Sequence, residues 1–562
     1  MMKQLSGLDA MFLYLEKPWA PLEVSSLHIY DRSTAPGGQV SFEDVLDCYR
    51  SRLNRSVMFR RKLAEVPLGL DHPYWVNDDD FDLEYHVRHI ALPKPGDWRQ
   101  LMIQVSRLQS QSLDKSRPLW EAYMIDGLDH VEGFKPGCFA LFMKMHHASV
   151  DGVSGVELQK ALHDLEPIAV DHDAAVHENV RVLGAQPSPW SLLAKTPGNY
   201  LSNSIRLVKS LVNTAPKLVA AARSKEKQST AKEAPATLFN LGRVTPNRAV
   251  DSRSFDLQEM KEITQAIPGS KINDVVLSIV SGAMRRYLLA KGHLPATSLI
   301  AGCPVNVRLH SDVKGEHDNL VSIMNAPLHT EIEDPIARIH AIHAGTLKAK
   351  AALEQVGAET MTVLPMTLPA PLIRYLAPAL IDLLGNTGTV PFNTMITNVP
   401  GIQQPIYLAG AEMVSLLGMG PVVDKIGLFH TAFSYNGKIS ITVTACRDMM
   451  PDPAFYADCI GAAYQELRLL TLGESVNAKP LKKVAVAEKE TVVEKAGKKP
   501  AAKRKTALKK VVAAKSVTNK KLPLKSKIVK PSNKAEQKIS KPARRARRKA
   551  PTQIKNRSAA ET

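Results

Sequence analysis

Cys138-Phe139-Ala140-Leu141-Phe142-Met143-Lys144-Met145-His146-His147-Ala148-Ser149-Val150-Asp151-Gly152 is the stretch from which the rest of the chain is read. Cys138 to Met145 predicts a strand, and Val153 to His163 predicts a helix with Val156, Leu158 and Leu162 among its apolar members. Between them Asp151-Gly152 predicts a tight turn, with Gly152 permitting backbone angles that a side chain would resist. Two histidines therefore stand at a strand end just before a sharp loop, where a rigid element can aim a side chain into a cleft. Successive strand residues point to opposite faces, so at most one of His146 and His147 faces a given cleft and the other supports it. An imidazole near neutral pKa can take a proton from a hydroxyl or thiol while that atom attacks an acyl carbon. Asp151 could pair with an arginine to hold the loop, or bond to an imidazole. Two other readings stay open from local physics: histidines that are merely structural, and a His, His, Asp set for zinc or iron. Neighbouring strand histidines diverge and there is no helical His-x-x-x-His pair, so no metal is expected.

Outward from that stretch the body reads as mixed α/β. Phe42 to Asn54 follows Ser41 as an N-cap and puts Val45, Leu46, Tyr49 and Leu53 on one helical face. Phe81 to Val87 alternates like a strand, and residues 97–109 read as a helix. Residues 183–240 contain Pro187, Pro189 and Pro197 and predict a crossover, with a basic amphipathic helix from about Leu201 to Ala222 that Pro216 divides. Beyond it, Ser270 is the expected cap of a helix running from Lys271 to about Leu289. Strands are expected at Ala296–Arg308 and Asn393–Val399. Leu428–Tyr435 and Lys438–Cys446 predict a hairpin across Asn436-Gly437, with Ile439, Ile441, Val443 and Ala445 on one face. The expected organisation is a domain over 1–182, the crossover over 183–240, a second domain over 241–478 and a tail over 479–562.

The chain has 562 residues, is 44% hydrophobic and carries a formal net charge of +18. The tail holds 28 Lys/Arg against 5 Asp/Glu, so it accounts for +23 while the body is slightly acidic at −5. With no aromatic residue and an ending of Arg544-Arg545-Ala546-Arg547-Arg548-Lys549, the tail is expected to be disordered alone. Nucleic acid, bound weakly and without sequence preference, is its first expected partner; anionic lipid, or no specific partner, are the alternatives. Five scattered cysteines make neither a disulfide framework nor a zinc site and are expected as buried thiols in a reduced cytosol. The N-terminus does not read as a signal peptide. Val363 to Leu384 carries four prolines, Arg374 and Asp382, which argue against a spanning helix and leave a membrane-surface role.

Taken in order, a set of segments resembles the bacterial wax ester synthase/acyl-CoA:diacylglycerol acyltransferase family, within the chloramphenicol acetyltransferase-like superfamily. They are Gly7-Leu8-Asp9-Ala10-Met11-Phe12-Leu13, Arg117-Pro118-Leu119-Trp120-Glu121, the histidine motif, Asn273-Asp274-Val275-Val276-Leu277, Asp318-Asn319-Leu320, Thr397-Asn398-Val399-Pro400-Gly401, Leu408-Ala409-Gly410-Ala411 and Ser434-Tyr435-Asn436-Gly437. The resemblance reaches to about residue 472 and excludes the tail. It implies two similar α/β domains with a substrate channel between them that meets the histidine. It implies acyl transfer from fatty acyl-CoA, as donor substrate, to a diacylglycerol or long-chain alcohol, with no bound cofactor. His147 matches the expected base, His146 its neighbour, and Asp151 an aspartate of structural role beside Gly152. Pro118, Leu119 and Trp120 match a motif near the acyl-binding part. Asn273 and Asp274 match a supporting helix-start pair, whose helix can also present backbone N–H groups to an anion. The implied location is cytoplasmic, peripheral to the inner membrane or to lipid inclusions. The competing classes are a non-catalytic polyanion-binding or lipid-granule surface protein and a condensation-type acyltransferase; oligomeric state is not indicated.

Overall fold

A computed structural model of the chain describes residues 2–150, 152–168, 187–205, 234–306, 321–356, 368–376 and 390–473. Asp151 and the tail lie outside the described residues, as do Asp318-Asn319-Leu320 and most of the Val363–Leu384 stretch. Two six-stranded sheets dominate. The first takes, in spatial order, Tyr407–Leu408, Ala411–Met419, Glu23–Asp31, Phe139–His146, Trp120–Asp126 and Val87–Ala91. The second takes Val321–Pro327, Ile300–Asn306, Thr394–Pro400, Leu428–Tyr435, Lys438–Cys446 and Arg248–Asp256. The architecture is α/β in two halves, each built on one of these sheets.

Phe139–His146 is buried along its whole length because both faces of its sheet are covered. Phe139, Leu141, Met143 and Met145 enter one apolar cluster with Tyr49 and Trp120. Ala140 and Phe142 enter another with helix Trp98–Gln109. Lys144, fully buried on that second face, is held by the carbonyls of Gln111 at 2.9 Å and Leu108 at 3.3 Å. Helix Phe42–Arg50 begins where Ser41 caps it, its hydroxyl accepting from Asp44 N–H at 3.1 Å.

The hairpin across Asn436-Gly437 forms with φ of 42° and 77°, the paired positive angles of a two-residue turn that matches strand twist. Ile439, Ile441, Val443 and Ala445 face the core of the second half. Their alternates Ser440, Thr442 and Thr444 are buried too, and Thr442 stands in register with Ser252, Thr431 and half-buried Thr397 in a row across four strands. Strand Ala411–Met419 lies against this face, after leaving the second half to pair with Glu23–Asp31. Any Cβ at Gly418 would come within 2.9 Å of the Thr431 side chain, and one at Gly420 within 2.3 Å of the Phe429 ring, so the close approach requires glycine.

Three expectations need correction. Leu83–His86 is a single helical turn, and the strand is Val87–Ala91. Asp82 accepts from Glu84 N–H at 3.0 Å and so starts a turn where period-2 alternation reads as a strand. Ser270 does not cap helix Ile272–Ala290; Asp274 reaches back to accept from Lys271 N–H at 3.0 Å, while the Ser270 hydroxyl donates to Thr264 O at 3.3 Å. The crossover helix is already formed over 189–205, twelve residues before its expected start, and its continuation lies outside the described residues. No helix among the described residues is long and apolar enough to cross a membrane. All five cysteines are buried free thiols.

Candidate active site

The strand ends on His146, and His147 is the first residue beyond it. His146 N–H donates to Leu119 O at 3.0 Å, and His147 N–H donates to Leu22 O at 3.1 Å. His146 Nδ1 accepts from Ala148 N–H at 3.0 Å. That nitrogen therefore holds a lone pair, and the neutral ring carries its proton on Nε2. Nε2 faces the Glu16 carboxylate, Oε2 lying 3.6 Å away, and Glu16 is also paired with Lys115. Burial works against ionisation of Glu16, yet His146 and Lys115 together hold its carboxyl below the usual range. Glu23, opposite His146 in the sheet, is shifted the other way by burial and by the Glu16 charge. With one nitrogen occupied by the backbone and the other turned to a buried carboxylate, His146 is a structural member of the pair.

His147 is half-buried, and its ring stacks on Phe12 with centroids 4.1 Å apart and planes within 9°. Phe12 and Glu16 belong to one element, helix Gly7–Leu15 and the residue that ends it, so this helix serves both histidines. Sequence reasoning gave neither residue a role. Phe12 lies in the Gly7–Leu13 segment that carries the family resemblance, but its stacking on His147 has no local signature. Glu16 is brought to His146 and Lys115 only by the fold.

Gly152 opens helix Gly152–Leu162 directly. The far end of that helix is pinned, since Arg52 donates to Leu162 O and pairs with Asp164. Of the expected acyl-binding residues, Pro118 and Leu119 are buried beside the histidine strand, and Leu119 lines a cavity of about 300 Å³. Trp120 points instead into the core. It is 1% exposed, stacks on His86 at 4.6 Å and Tyr49 at 5.8 Å, and donates from Nε1 to Phe59 O at 3.0 Å. Asn273 and Asp274 stand in the second half at the start of helix Ile272–Ala290. Asp274 binds His343 Nδ1 at 2.8 Å and accepts from the Thr346 hydroxyl at 3.1 Å, so its partners lock this helix to helix Pro335–Val356 rather than reaching His147. Ser434 accepts from Gly401 N–H at 3.2 Å and from Gln403 Nε2 at 3.0 Å. Thr397 is half-buried in the hydroxyl row of the second sheet.

A buried strand that ends on a histidine pair beside a cavity, in an α/β fold built on two six-stranded sheets, is the architecture of a chloramphenicol acetyltransferase-like acyltransferase. Residues 5–276 match the wax ester synthase/diacylglycerol acyltransferase catalytic domain, and residues 317–468 match the C-terminal domain of the same proteins. A Mycobacterium tuberculosis protein named a diacylglycerol O-acyltransferase is 34% identical over 473 residues, covering 83% of this chain and 90% of its own. The solved wax ester synthase/diacylglycerol acyltransferase from Marinobacter aquaeolei VT8 is 26% identical, with a TM-score of 0.58 over 84% of this chain and all of that one. The trichothecene 15-O-acetyltransferase of Fusarium sporotrichioides, 10% identical with a TM-score of 0.57 over 83% of this chain and 95% of that one, shares the fold. The chain belongs to the wax ester synthase/diacylglycerol acyltransferase family and is an acyltransferase of that type.

Proposed function

We propose that the protein moves a fatty acyl group from acyl-CoA to the hydroxyl of a diacylglycerol or a long-chain alcohol, forming triacylglycerol or wax ester, with His147 as general base. The observation that carries this reading is the division of labour between the histidines. His146 Nδ1 accepts from Ala148 N–H and its Nε2 faces the Glu16 carboxylate, whereas His147 leaves the strand end on a backbone fixed to Leu22, its ring stacked on Phe12. In a complex of both substrates His147 takes the acceptor's hydroxyl proton, and the oxygen attacks the thioester carbonyl. The tetrahedral intermediate collapses with cleavage of the C–S bond, and the imidazolium returns its proton to the departing thiolate. Transfer is direct, without an acyl-enzyme and without a bound cofactor.

Wild type and His147→Ala are compared for ester formation from palmitoyl-CoA with hexadecanol or dipalmitoylglycerol. Loss of a general base lowers kcat by roughly 10²–10⁴-fold. Unchanged activity in the variant sinks the mechanism, and a wild type inactive on both acceptors sinks the substrate assignment.

Lipidic acceptors are met at a lipid surface, and peripheral attachment to the inner membrane or lipid inclusions is part of the proposal. Its support is an apolar patch made by three adjoining elements. Leu68 is 84% exposed, and Leu201 and Tyr375 are 67% and 63% exposed. Tyr200 donates to Leu70 O at 2.6 Å, and Arg374 packs against Gly69 while pairing with Glu65, which brings the three elements together. The basic tail is proposed as a separate, salt-sensitive contact to nucleic acid.

A further inference from the structure

The cavity beside the histidine loop has a composition that the general reading leaves unexplained. Its inner wall is apolar, formed by buried Leu5, Leu119, Ala148 and Leu158. Ala148 and Ser149, the two residues that follow His147, are among its lining, so the cavity borders the histidine loop. The rim differs: Lys3, Arg55 and Arg61 border it, together with the hydroxyl-bearing Ser6, Ser56 and Ser149. Arg55 is exposed and spends one N–H of its fork on Ala161 O at 3.3 Å. Arg61 is half-buried on strand Arg61–Ala64, held in register with Asn77. Neither arginine forms an ion pair among the described residues. Two carboxylates also border the cavity: Asp9, which accepts the Ser6 hydroxyl at 2.7 Å, and exposed Glu157.

A half-buried guanidinium without a carboxylate is costly, and its rigid fork of donors matches phosphate oxygens. Burial alone lowers the basicity of Arg61, with no neighbouring anion to offset it. A cavity of about 300 Å³ is at the small end of ligand pockets, too tight for a whole nucleotide thioester but suited to a thin chain. An apolar inner wall that includes Ala148 of the histidine loop, followed by a cationic rim, runs in the order of the donor's narrow pantetheine arm and then its phosphates.

We propose that this cavity is the donor entrance, where the pantetheine arm passes Leu119 and Ala148 and the phosphates of coenzyme A rest on Arg55 and Arg61 at the rim. The inference rests on the acyl-CoA reading above and assigns the donor's charged end to named residues. The two cations act in binding and leave the chemical step to His147.

The test compares two donors that share the acyl group and differ in the phosphates: palmitoyl-CoA and palmitoyl-N-acetylcysteamine. In the full-length protein Arg61→Gln is expected to raise KM for palmitoyl-CoA about tenfold, as loss of a charge-assisted pair does, with kcat held. KM for palmitoyl-N-acetylcysteamine stays put, and competition by adenosine 3′,5′-bisphosphate against palmitoyl-CoA weakens in parallel. Arg55→Gln, at an exposed position where folding is not at risk, is expected to act in the same direction by a few-fold. KM values that move together for both donors, or for neither, overturn the proposal. So does a variant that loses binding to phosphatidic acid vesicles while its KM for palmitoyl-CoA is unchanged, since the arginines would then serve a lipid phosphate. A wild type inactive with palmitoyl-CoA is a different failure, that of the functional reading itself.

Discussion

Acid should weaken this protein through a hydrogen-bonded relay that works only with neutral imidazoles. His163 Nδ1 lies 2.6 Å from Gln159 O, which fixes its proton there and leaves Nε2 to accept from the Tyr30 hydroxyl at 2.8 Å. Tyr30 in turn accepts from His28 Nδ1 at 3.1 Å. Every donor has one acceptor, and a proton added to His163 Nε2 would meet the Tyr30 hydroxyl head on. Burial pushes the His163 imidazole down to about 4 from 6.5, and pushes His28 well below its ordinary value. Because the folded-state pKa is depressed, the neutral form's stability is fully present above about 6.5 and is lost as pH falls toward about 4. At about 1.4 kcal/mol per pH unit, this window amounts to about 3 kcal/mol for His163. The perturbation is His163→Gln, whose amide can donate to Gln159 O and accept from Tyr30 without titrating. Urea unfolding of both proteins is followed from pH 7 to pH 4.5. Wild type should lose stability relative to the variant by about 1.4 kcal/mol per unit below pH 6. Parallel pH profiles would refute the relay, because they would mean that His163 binds its proton equally in both states.

Three further outcomes are expected. Glu16→Gln keeps an acceptor for His146 Nε2–H but removes the charge shared with Lys115; kcat should fall several-fold with KM for palmitoyl-CoA nearly constant, and a pure KM effect would remove Glu16 from the positioning of the loop. Trp120→Ala deletes a ring packed on Tyr49, Phe59 and His86 and should cost about 3–5 kcal/mol in chemical denaturation; a stable variant with altered acyl-chain preference would instead make Trp120 a substrate-lining residue. Removal of residues 479–562 should leave ester formation intact and abolish salt-sensitive retention on nucleic acid, and loss of transferase activity on truncation would favour the non-catalytic reading.

What the sequence made legible was local. The Asn436-Gly437 turn, the Ser41 cap and the apolar run into His146 each carry their signal within a few residues, and each forms as expected. Leu83–His86 was missed because Asp82 can start a turn as readily as it can sit in an alternating strand. Glu16 was missed for a different reason: its burial depends on Lys115 and His146, which are distant in the chain. Likewise Asp274 reads correctly as a helix-start residue, but its locking of two helices depends on His343, 69 residues away. Trp120 shows the converse, a residue legible by its motif whose surroundings are those of a core side chain.

The strand Ala411–Met419 has a consequence for how this chain comes to be folded. Gly418 pairs with Ser26, and Met419 with Ser25, across nearly four hundred residues of intervening sequence. During synthesis the strand Glu23–Asp31 therefore waits with one edge open until most of the protein has left the ribosome. Closing so long a loop is slow, and an unpaired edge invites pairing with other nascent chains. An isolated N-terminal fragment carrying the intact histidine motif should accordingly aggregate, and supplying the 407–419 segment in trans should be more effective at rescuing it than lowering the temperature. The first sheet is thus completed by a strand from the second half, so it cannot close until residue 419 has been made.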